Sequence, residues 1–186
     1  MGQYFTAIIK RENGKFERYC AHSYNNGVKL MEHAYIGNNF TETVIAQLIG
    51  KCGHVAWVGD YAKPGMVESP LDLEFITEEG KEEYNNPPQI PTTQNSIFLG
   101  FVNHTKKEYF IPWSCLCQDK YHLAPHPLPL LTAIGNGEGG GDYHGSSMNM
   151  VGKWACDEIE VLEDCNLIPQ DYKNISSQLR FIEGGK

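Results

Sequence analysis

Short alternating runs of apolar and polar residues open the chain and indicate strands. Residues 4–10 are rich in β-branched and aromatic side chains, and residues 16–21 repeat this character after an Asn13-Gly14 step. An Asn-Gly pair between two such runs is a strong signal for a β-hairpin. A short helix is then predicted within residues 28–35, where apolar side chains fall on one side.

The next segment favours a helix, a strand and then a long polar connection. Residues 39–42 offer helix-capping side chains, residues 43–52 are predicted to be helical, and Gly53 ends that helix. Residues 54–58 form a short apolar run that is typical of a strand. Residues 63–96 are polar and contain repeated prolines, which indicates a connection with little regular structure.

The pattern then starts again in the second half of the chain. Residues 97–113 predict a second hairpin, which turns at residues 103–107. Residues 128–134 are a short apolar stretch that fits either a helix or a strand. A glycine-rich loop follows at residues 135–145, and residues 151–162 carry an apolar alternation that predicts a strand.

The order of these elements suggests an internal repeat. Residues 1–62 and residues 97–165 both run from a hairpin through a helical stretch to a strand, and Asp60 and Asp164 then occupy corresponding positions. A chance likeness between two ordinary hairpin–helix–strand units is the alternative. In both cases we expect residues 1–186 to form a single α+β domain, with a mostly antiparallel sheet and a few short helices.

Composition narrows the function classes. The chain has 186 residues, of which 41% are hydrophobic, so it can bury a sizeable core. No apolar run approaches about 18 residues, so a membrane-spanning helix is not expected. The net charge of −8 disfavours general binding to the phosphate backbone of nucleic acids.

The first residues and the cysteines bear on the cellular compartment. The start of the sequence has neither the basic stretch nor the long apolar centre of a secretion signal. The six cysteines are therefore predicted to be reduced thiols in a cytoplasmic protein rather than disulfide partners.

Several segments together resemble a group of bacterial and phage-borne proteins without an assigned activity. The segments are residues 1–4, 26–33, 57–62, 103–109, 126–131, 135–143 and 151–155. The resemblance spans most of the chain and implies a bacterial or phage context, but no catalytic residues. Members of that group usually carry a basic residue inside the glycine loop, where this chain has Glu138, and this difference weakens a phosphate-binding role for the loop.

The glycine loop is the strongest candidate for a binding site. Five glycines within seven residues allow positive φ angles and close backbone approach, so the loop's N–H groups can surround a ligand. The loop lacks the Gly-Lys-Ser/Thr ending of a Walker loop and the spacing of a dinucleotide fingerprint. An irregular turn packed against another segment is the alternative. The predicted ligand-binding residues are Asn136, Gly137, Gly139, Gly140, Gly141, Asp142, His126, His144, Asp60 and Trp154.

Two histidines and a carboxylate near the loop support a second hypothesis. His126, Asp142 and His144 are residue types that ligate transition metals and transfer protons. If the fold brings them together, they predict a metal-dependent hydrolase. Nothing in the spacing requires them to meet in space.

The cysteines are weaker candidates for a metal site or a catalytic site. Cys115 and Cys117, followed by His122 and His126, resemble a zinc knuckle, but the spacer between the cysteines is one residue short, so we predict that these cysteines are not metal ligands. Cys52 stands beside His54 at the C-terminus of a predicted helix. A helix C-terminus does not activate a thiol, so thiol-protease chemistry is disfavoured.

These observations leave three interpretations. The first is a module that binds a small polar ligand of nucleotide-like chemistry through the glycine loop. The second is the metal-dependent hydrolase, and the third is a non-enzymatic protein that modulates a protein partner. The sequence does not decide whether the chain is an enzyme, and it names neither a cofactor nor a metal ligand.

Overall fold

A single mixed sheet organises the described part of the chain, which comprises residues 1–87, 96–115 and 125–179 of this computed structural model. Eight strands are found in those residues: β1 Phe5–Lys10, β2 Phe16–Tyr19, β3 Gly53–Gly59, β4 Gly100–Asn103, β5 Glu108–Phe110, β6 Ala133–Ile134, β7 Glu158–Leu162 and β8 Lys173–Asn174. Four α-helices accompany them: α1 Leu30–His33, α2 Asn39–Ala46, α3 Asp72–Glu79 and α4 Pro127–Thr132.

The strand order is symmetric about its centre. The order is β2-β1-β3-β7-β4-β5-β8, with β6 attached to β3. The central β3–β7 pair is antiparallel, and the first strand of a hairpin flanks it on each side, followed by the second strand of that hairpin. Only the short pairs β5–β8 and β3–β6 are parallel among the described strands. The predicted α+β class with a mostly antiparallel sheet is therefore confirmed.

The two halves also exchange short segments. After α4, strand β6 pairs in parallel with β3 of the first half, through Trp57 and Ala133. After α2, Ile49 forms a parallel bridge with Val161 in β7 of the second half. Each half therefore pairs a short segment with the central strand of the other half, beyond the short β3–β7 pairing. This arrangement agrees with the predicted repeat, although the duplication itself stays a prediction.

Both faces of the central strands are buried. Alternate side chains of β1 and β3 point to opposite faces, as a strand requires. The larger core lies on one face and includes Ala7, Ile9, Val55, Trp57 and the apolar residues of α1, α2 and α4. The smaller core lies on the other face and includes Ile8, Ala56, Val58 and Phe75 of α3. Helical segments thus cover the middle of the sheet on both sides.

Both predicted hairpins are present. β1 and β2 pair around a turn in which Gly14 has a φ of +78°. β4 and β5 pair through Phe101 and Phe110, with their turn at residues 104–107. The short helix expected within residues 28–35 is α1.

The helix predicted at residues 43–52 is displaced. The side chain of Asn38 accepts a hydrogen bond from the N–H of Thr41 at 3.1 Å, so α2 begins at Asn39. The helix ends at Ala46, because the following residues bond to β7: the N–H of Gly50 donates to the carbonyl of Val161 at 3.0 Å. Gly53 does not terminate the helix but begins β3.

The strand predicted at residues 151–162 is shorter than expected. Only Glu158–Leu162 is a strand, and residues 151–156 form turns before it. Gly152 and Cys156 have φ angles of +78° and +64° in these turns, which extended backbone does not allow. The polar connection at residues 63–96 contains α3, and its residues 88–95 lie outside the described part of the chain.

None of the helices in the described ranges has the length and apolar character needed to cross a membrane.

Candidate functional site

The N-terminal segment holds the glycine loop in place. The Nε2 of Gln3 donates to the carbonyl of Gly135 at 2.7 Å and to the carboxylate of Asp142 at 3.0 and 3.1 Å. The backbone N–H of Gln3 also donates to the carbonyl of Gly140 at 2.9 Å, and that of Gly140 to the carbonyl of Met1 at 3.1 Å. The loop is thus an ordered part of the fold rather than a loose connection.

Asp142 occupies the concave side of the loop. Its Oδ2 accepts hydrogen bonds from the N–H groups of Gly137 at 2.6 Å and Gly139 at 3.1 Å, and the residue is fully buried. Clustered backbone N–H groups commonly bind an anion. Here the anion is the protein's own carboxylate, so these two amides are not free to hold a ligand.

Close packing explains two glycines of the loop, Gly139 and Gly141. A Cβ added to Gly139 would lie 2.5 Å from the Cβ of Gln3, which no side chain can tolerate. A Cβ on Gly141 would overlap the Lys29 side chain, and the φ of Gly141 is +85°. The close neighbour that the glycines accommodate is therefore another segment of the same chain.

A cleft with a volume of about 590 Å³ lies along the outer side of the loop. Three loop residues form one wall: Gly135, Asn136 and Glu138. The other walls come from residues 66–68, from residues 148–155 and from Lys106. The complete lining is Met66, Val67, Glu68, Lys106, Ala133, Gly135, Asn136, Glu138, Met148, Val151, Gly152, Lys153 and Ala155.

Two of the four charged side chains that line this cleft are paired, whereas Glu68 and Lys153 have no ion pair among the described residues. The Nζ of Lys106 contacts the carboxylate of Asp157, which is buried. The carboxylate of Glu138 lies 3.8 Å from the Nζ of Lys63. Within the described residues, Lys153 has no carboxylate within 4.0 Å, and it is exposed. Its ammonium group is therefore available to a ligand.

The side-chain amide of Asn136 stabilises the loop instead of pointing into the cleft. Its Oδ1 accepts from the N–H of Tyr143 at 2.8 Å, and its Nδ2 donates to the carbonyl of the same residue at 3.4 Å. This pair of bonds closes the loop across its base. Among the predicted ligand-binding residues, only Asn136 also lines the cleft.

His126 and Trp154 belong to the core. His126 is fully buried, its Nδ1 accepts from the N–H of Leu128 at 3.2 Å, and its ring packs edge-on against Phe101. Burial lowers the pKa of His126 to about 3. The indole N–H of Trp154 donates to Glu108 at 3.1 Å. Neither residue reaches the cleft, because each fills the interior beneath the sheet.

Asp60 and His144 lie elsewhere. Asp60 is exposed, accepts from the N–H of Tyr4 at 3.0 Å and lines a separate cleft of about 540 Å³ that also includes Lys29 and Glu32. His144 is exposed and is not part of the lining of the cleft beside the loop. The expected grouping of Asp60, His126 and Trp154 beside the loop is therefore not found.

The second predicted set is not brought together either. In the part of the chain that the structure describes, one group of at least three His, Cys, Asp or Glu side chains has its donor atoms within 4.8 Å of one another, and it consists of Cys52, His104 and Glu160. His126, Asp142 and His144 do not form such a group, because two of them are buried in separate hydrogen-bond environments. Cys117 and His122 lie outside the described residues.

Sequence reasoning missed the basic and apolar walls of the cleft. Lys106 stands in a hairpin turn, where a lysine is ordinarily a solvated surface residue. Lys153 follows Gly152 in a stretch that alternation predicts to be a strand. The one available signal was the Val-Gly-Lys segment itself, since a glycine interrupts the expected strand there.

We compared the chain with family models, curated proteins and solved structures. No family model, curated protein or solved structure matches the chain.

Proposed function

We propose that this protein is a small-ligand-binding module and that its ligand occupies the cleft beside the glycine loop. The available ammonium group of Lys153 in a cleft of about 590 Å³ carries this proposal. Volumes of roughly 300–1,000 Å³ are typical of sites for small molecules. The loop acts as a rigid wall, and its N–H groups serve the loop's own Asp142.

The lining favours a ligand with one anionic group and one flat apolar part. Lys153 supplies a positive charge for the anion, and the neighbouring Gly152 also lines the cleft. Met66 and Met148 offer flexible, polarisable side chains that adapt to a planar ring. A nucleoside monophosphate combines these features, which is why nucleotide-like chemistry is the proposed class.

The test is a titration of the purified protein with AMP, with adenosine and inorganic phosphate as separate arms. Binding is followed by NMR shifts of backbone amides and by calorimetry. We expect AMP to shift the amides of residues 135–138 and 151–153, and Lys153→Gln to weaken binding by about tenfold, since a charged hydrogen bond contributes roughly 1.5–3 kcal/mol.

Lys173→Gln is the matched control, because Lys173 is an exposed lysine on β8 that does not line the cleft. It should bind AMP as the wild type does. The proposal fails if AMP leaves the cleft amides unshifted, or if Lys153→Gln and Lys173→Gln have equal effects.

A protein-binding role is the second candidate, and one surface feature favours it. Phe98 and Trp113 stack with ring centroids 5.3 Å apart, and both are more than half exposed within the described residues. Exposed aromatic pairs are enriched where proteins meet. Substitution of both by serine would reduce a protein interaction while leaving AMP binding unchanged.

A further inference from the structure

A second group of chemically active side chains lies outside the cleft described above. Cys52, His104 and Glu160 place one donor atom each within 4.8 Å of one another, and all three are half-buried. None of them lines the cleft beside the glycine loop. The group combines a sulfur, a nitrogen and an oxygen donor.

Strand pairing brings these residues together. Gly53 pairs with Ile159 between β3 and β7, so the preceding residue, Cys52, falls opposite Glu160. Val102 pairs with Glu160 between β4 and β7, and the N–H of His104 then continues the ladder to the carbonyl of Glu158 at 2.9 Å. Glu160 lies in β7, Cys52 immediately precedes β3 and His104 immediately follows β4, so the pairing of these three strands places the donors on one sheet face.

The imidazole of His104 is oriented by a second partner. Its Nδ1 lies 2.9 Å from the Oη of Tyr172, and its Nε2 lies 3.0 Å from Oε2 of Glu160. Histidines that bind metals usually bond through their other ring nitrogen to a neighbouring oxygen, which sets the ring and the tautomer. In the metal-free chain an Nε2–H donates to Glu160, whereas with Nδ1–H donating to Tyr172 the Nε2 lone pair would be free for a metal.

The surroundings attract a cation and leave a path to it. The carboxylates of Glu160, Glu158 and Glu12 act electrostatically on the Cys52 side chain. The same carboxylates create a negative potential around the sulfur. Cys52 also opens onto a surface cleft of about 510 Å³, whose lining includes Arg11, Glu12, Asn13, Glu17, Gln47 and Lys51.

We propose that Cys52, His104 and Glu160 bind one zinc ion. Thiolate, imidazole and carboxylate are the donors that Zn²⁺ takes, and three protein ligands leave a fourth position open. On binding, the thiol proton passes to solvent and the sulfur bonds to the metal as a thiolate.

The first experiment measures zinc directly. Chelator-treated protein is dialysed against Zn²⁺ in the presence of a reductant, and the bound zinc is quantified by elemental mass spectrometry. Calorimetry measures the stoichiometry and affinity of binding. We expect one zinc per chain in the wild type. Cys52→Ser, His104→Gln and Glu160→Gln should each weaken binding by at least about tenfold, with folding checked by circular dichroism.

Substitution with Co²⁺ gives a spectroscopic signal that depends on a cysteine bound to the metal and not on the stability of the fold. Co²⁺ bound to a thiolate has a sulfur-to-metal charge-transfer band in the near ultraviolet. We expect this band in the wild type and in Cys165→Ser, whose half-buried cysteine lies outside the group. The band should disappear in Cys52→Ser.

Two further variants separate this site from other donors in the chain. Cys117→Ser with His122→Gln should retain one zinc, and Tyr172→Phe should retain it with about tenfold weaker affinity. The proposal is overturned if the wild type binds no zinc against a chelator of micromolar affinity. It is also overturned if Cys52→Ser keeps the metal and the cobalt band, since the sulfur ligand is then another cysteine.

Discussion

At the scale of the residue, Asp142 determines what the glycine loop can do. From the sequence alone, a carboxylate in such a loop is expected either to bind a cation or to repel a phosphate. In the folded chain it is fully buried and accepts from two loop amides and from Gln3. The residue that looked most like a binding group is therefore a structural anchor.

The first prediction concerns this anchor. Asp142→Asn turns one acceptor oxygen into an NH₂ group that faces donors, so at least one buried donor loses its partner. We expect a loss of about 1–3 kcal/mol in the free energy of unfolding, measured by urea denaturation. Glu138→Gln, at an exposed position of the same loop, should change it by less than about 0.5 kcal/mol. Equal effects of the two variants would contradict the anchoring role.

The second prediction concerns a buried histidine. His33 packs on Phe40, neither of its ring nitrogens has a hydrogen-bond partner in the described residues, and burial lowers its pKa to about 3. The unfolded chain binds a proton below about pH 6.5 and the folded chain does not. The protonation penalty of this histidine is therefore absent above pH 6.5 and destabilises the fold progressively as the pH falls from about 6.5 towards 3.

The measurement is the free energy of unfolding between pH 7 and pH 4.5. His33→Leu should reduce the slope against pH by up to about 1.4 kcal/mol per pH unit, which is the value for one proton. His22→Leu is the control, because His22 is exposed in the folded state. A wild-type slope in His33→Leu would show that His33 does not resist protonation.

At the scale of the element, the glycine loop and the N-terminal segment form one unit. Gly2 and Gly140 form a parallel β-bridge. Gln3 packs so closely against the Cα of Gly139 that a side chain at position 139 would not fit. Such a contact joins residues that are far apart in the sequence. It explains why the loop needs glycines at defined positions and not merely a flexible composition.

The third prediction separates two neighbouring glycines of this element. Gly139→Ala forces its methyl group against Gln3, and we expect a loss of about 1–3 kcal/mol in stability. Gly140→Ala meets its nearest atom, the carbonyl oxygen of Met1, at 3.5 Å and has no positive φ, so it should be neutral or slightly stabilising. Thermal and urea unfolding of both variants measures the difference. Similar losses at both positions would show that flexibility, and not close packing, is what the loop requires.

At the scale of the whole molecule, the two halves depend on each other. The central β3–β7 pair joins them, and each half contributes a short parallel segment to the third strand of the other. A half without its partner would expose these strand edges and one side of its core. The two halves are therefore similar in topology, but neither is expected to fold without the other.

The fourth prediction follows from this dependence. Residues 1–95 and residues 96–186, expressed separately, should each lack a cooperative urea transition. Mixing them at high concentration should restore part of the wild-type circular dichroism, since the missing edges are then supplied in trans. The full-length chain, unfolded under the same conditions, is the reference. A cooperative transition in either fragment alone would show that the exchange is not needed for folding.

The sequence by itself determined the two hairpins and the α+β class, but it predicted neither α3 nor β8. Strand alternation and the Asn13-Gly14 turn are local signals, and the observed β1–β2 and β4–β5 pairs agree with them. The bounds of α2 and β7 were less accurate. Asn38 caps the helix earlier than predicted, and the segment after it bonds to a strand that is distant in sequence.

Only the tertiary structure decided which polar groups are free. Asp142, His126 and Trp154 are the residue types of a site, yet the fold uses them as an anchor, a helix cap and a core residue. Pairing among β3, β7 and β4 instead brings together Cys52, His104 and Glu160, whose separation along the chain hides their proximity. Local patterns follow from backbone preferences over a few residues, whereas burial and long-range hydrogen bonding depend on contacts that exist only after the chain has folded.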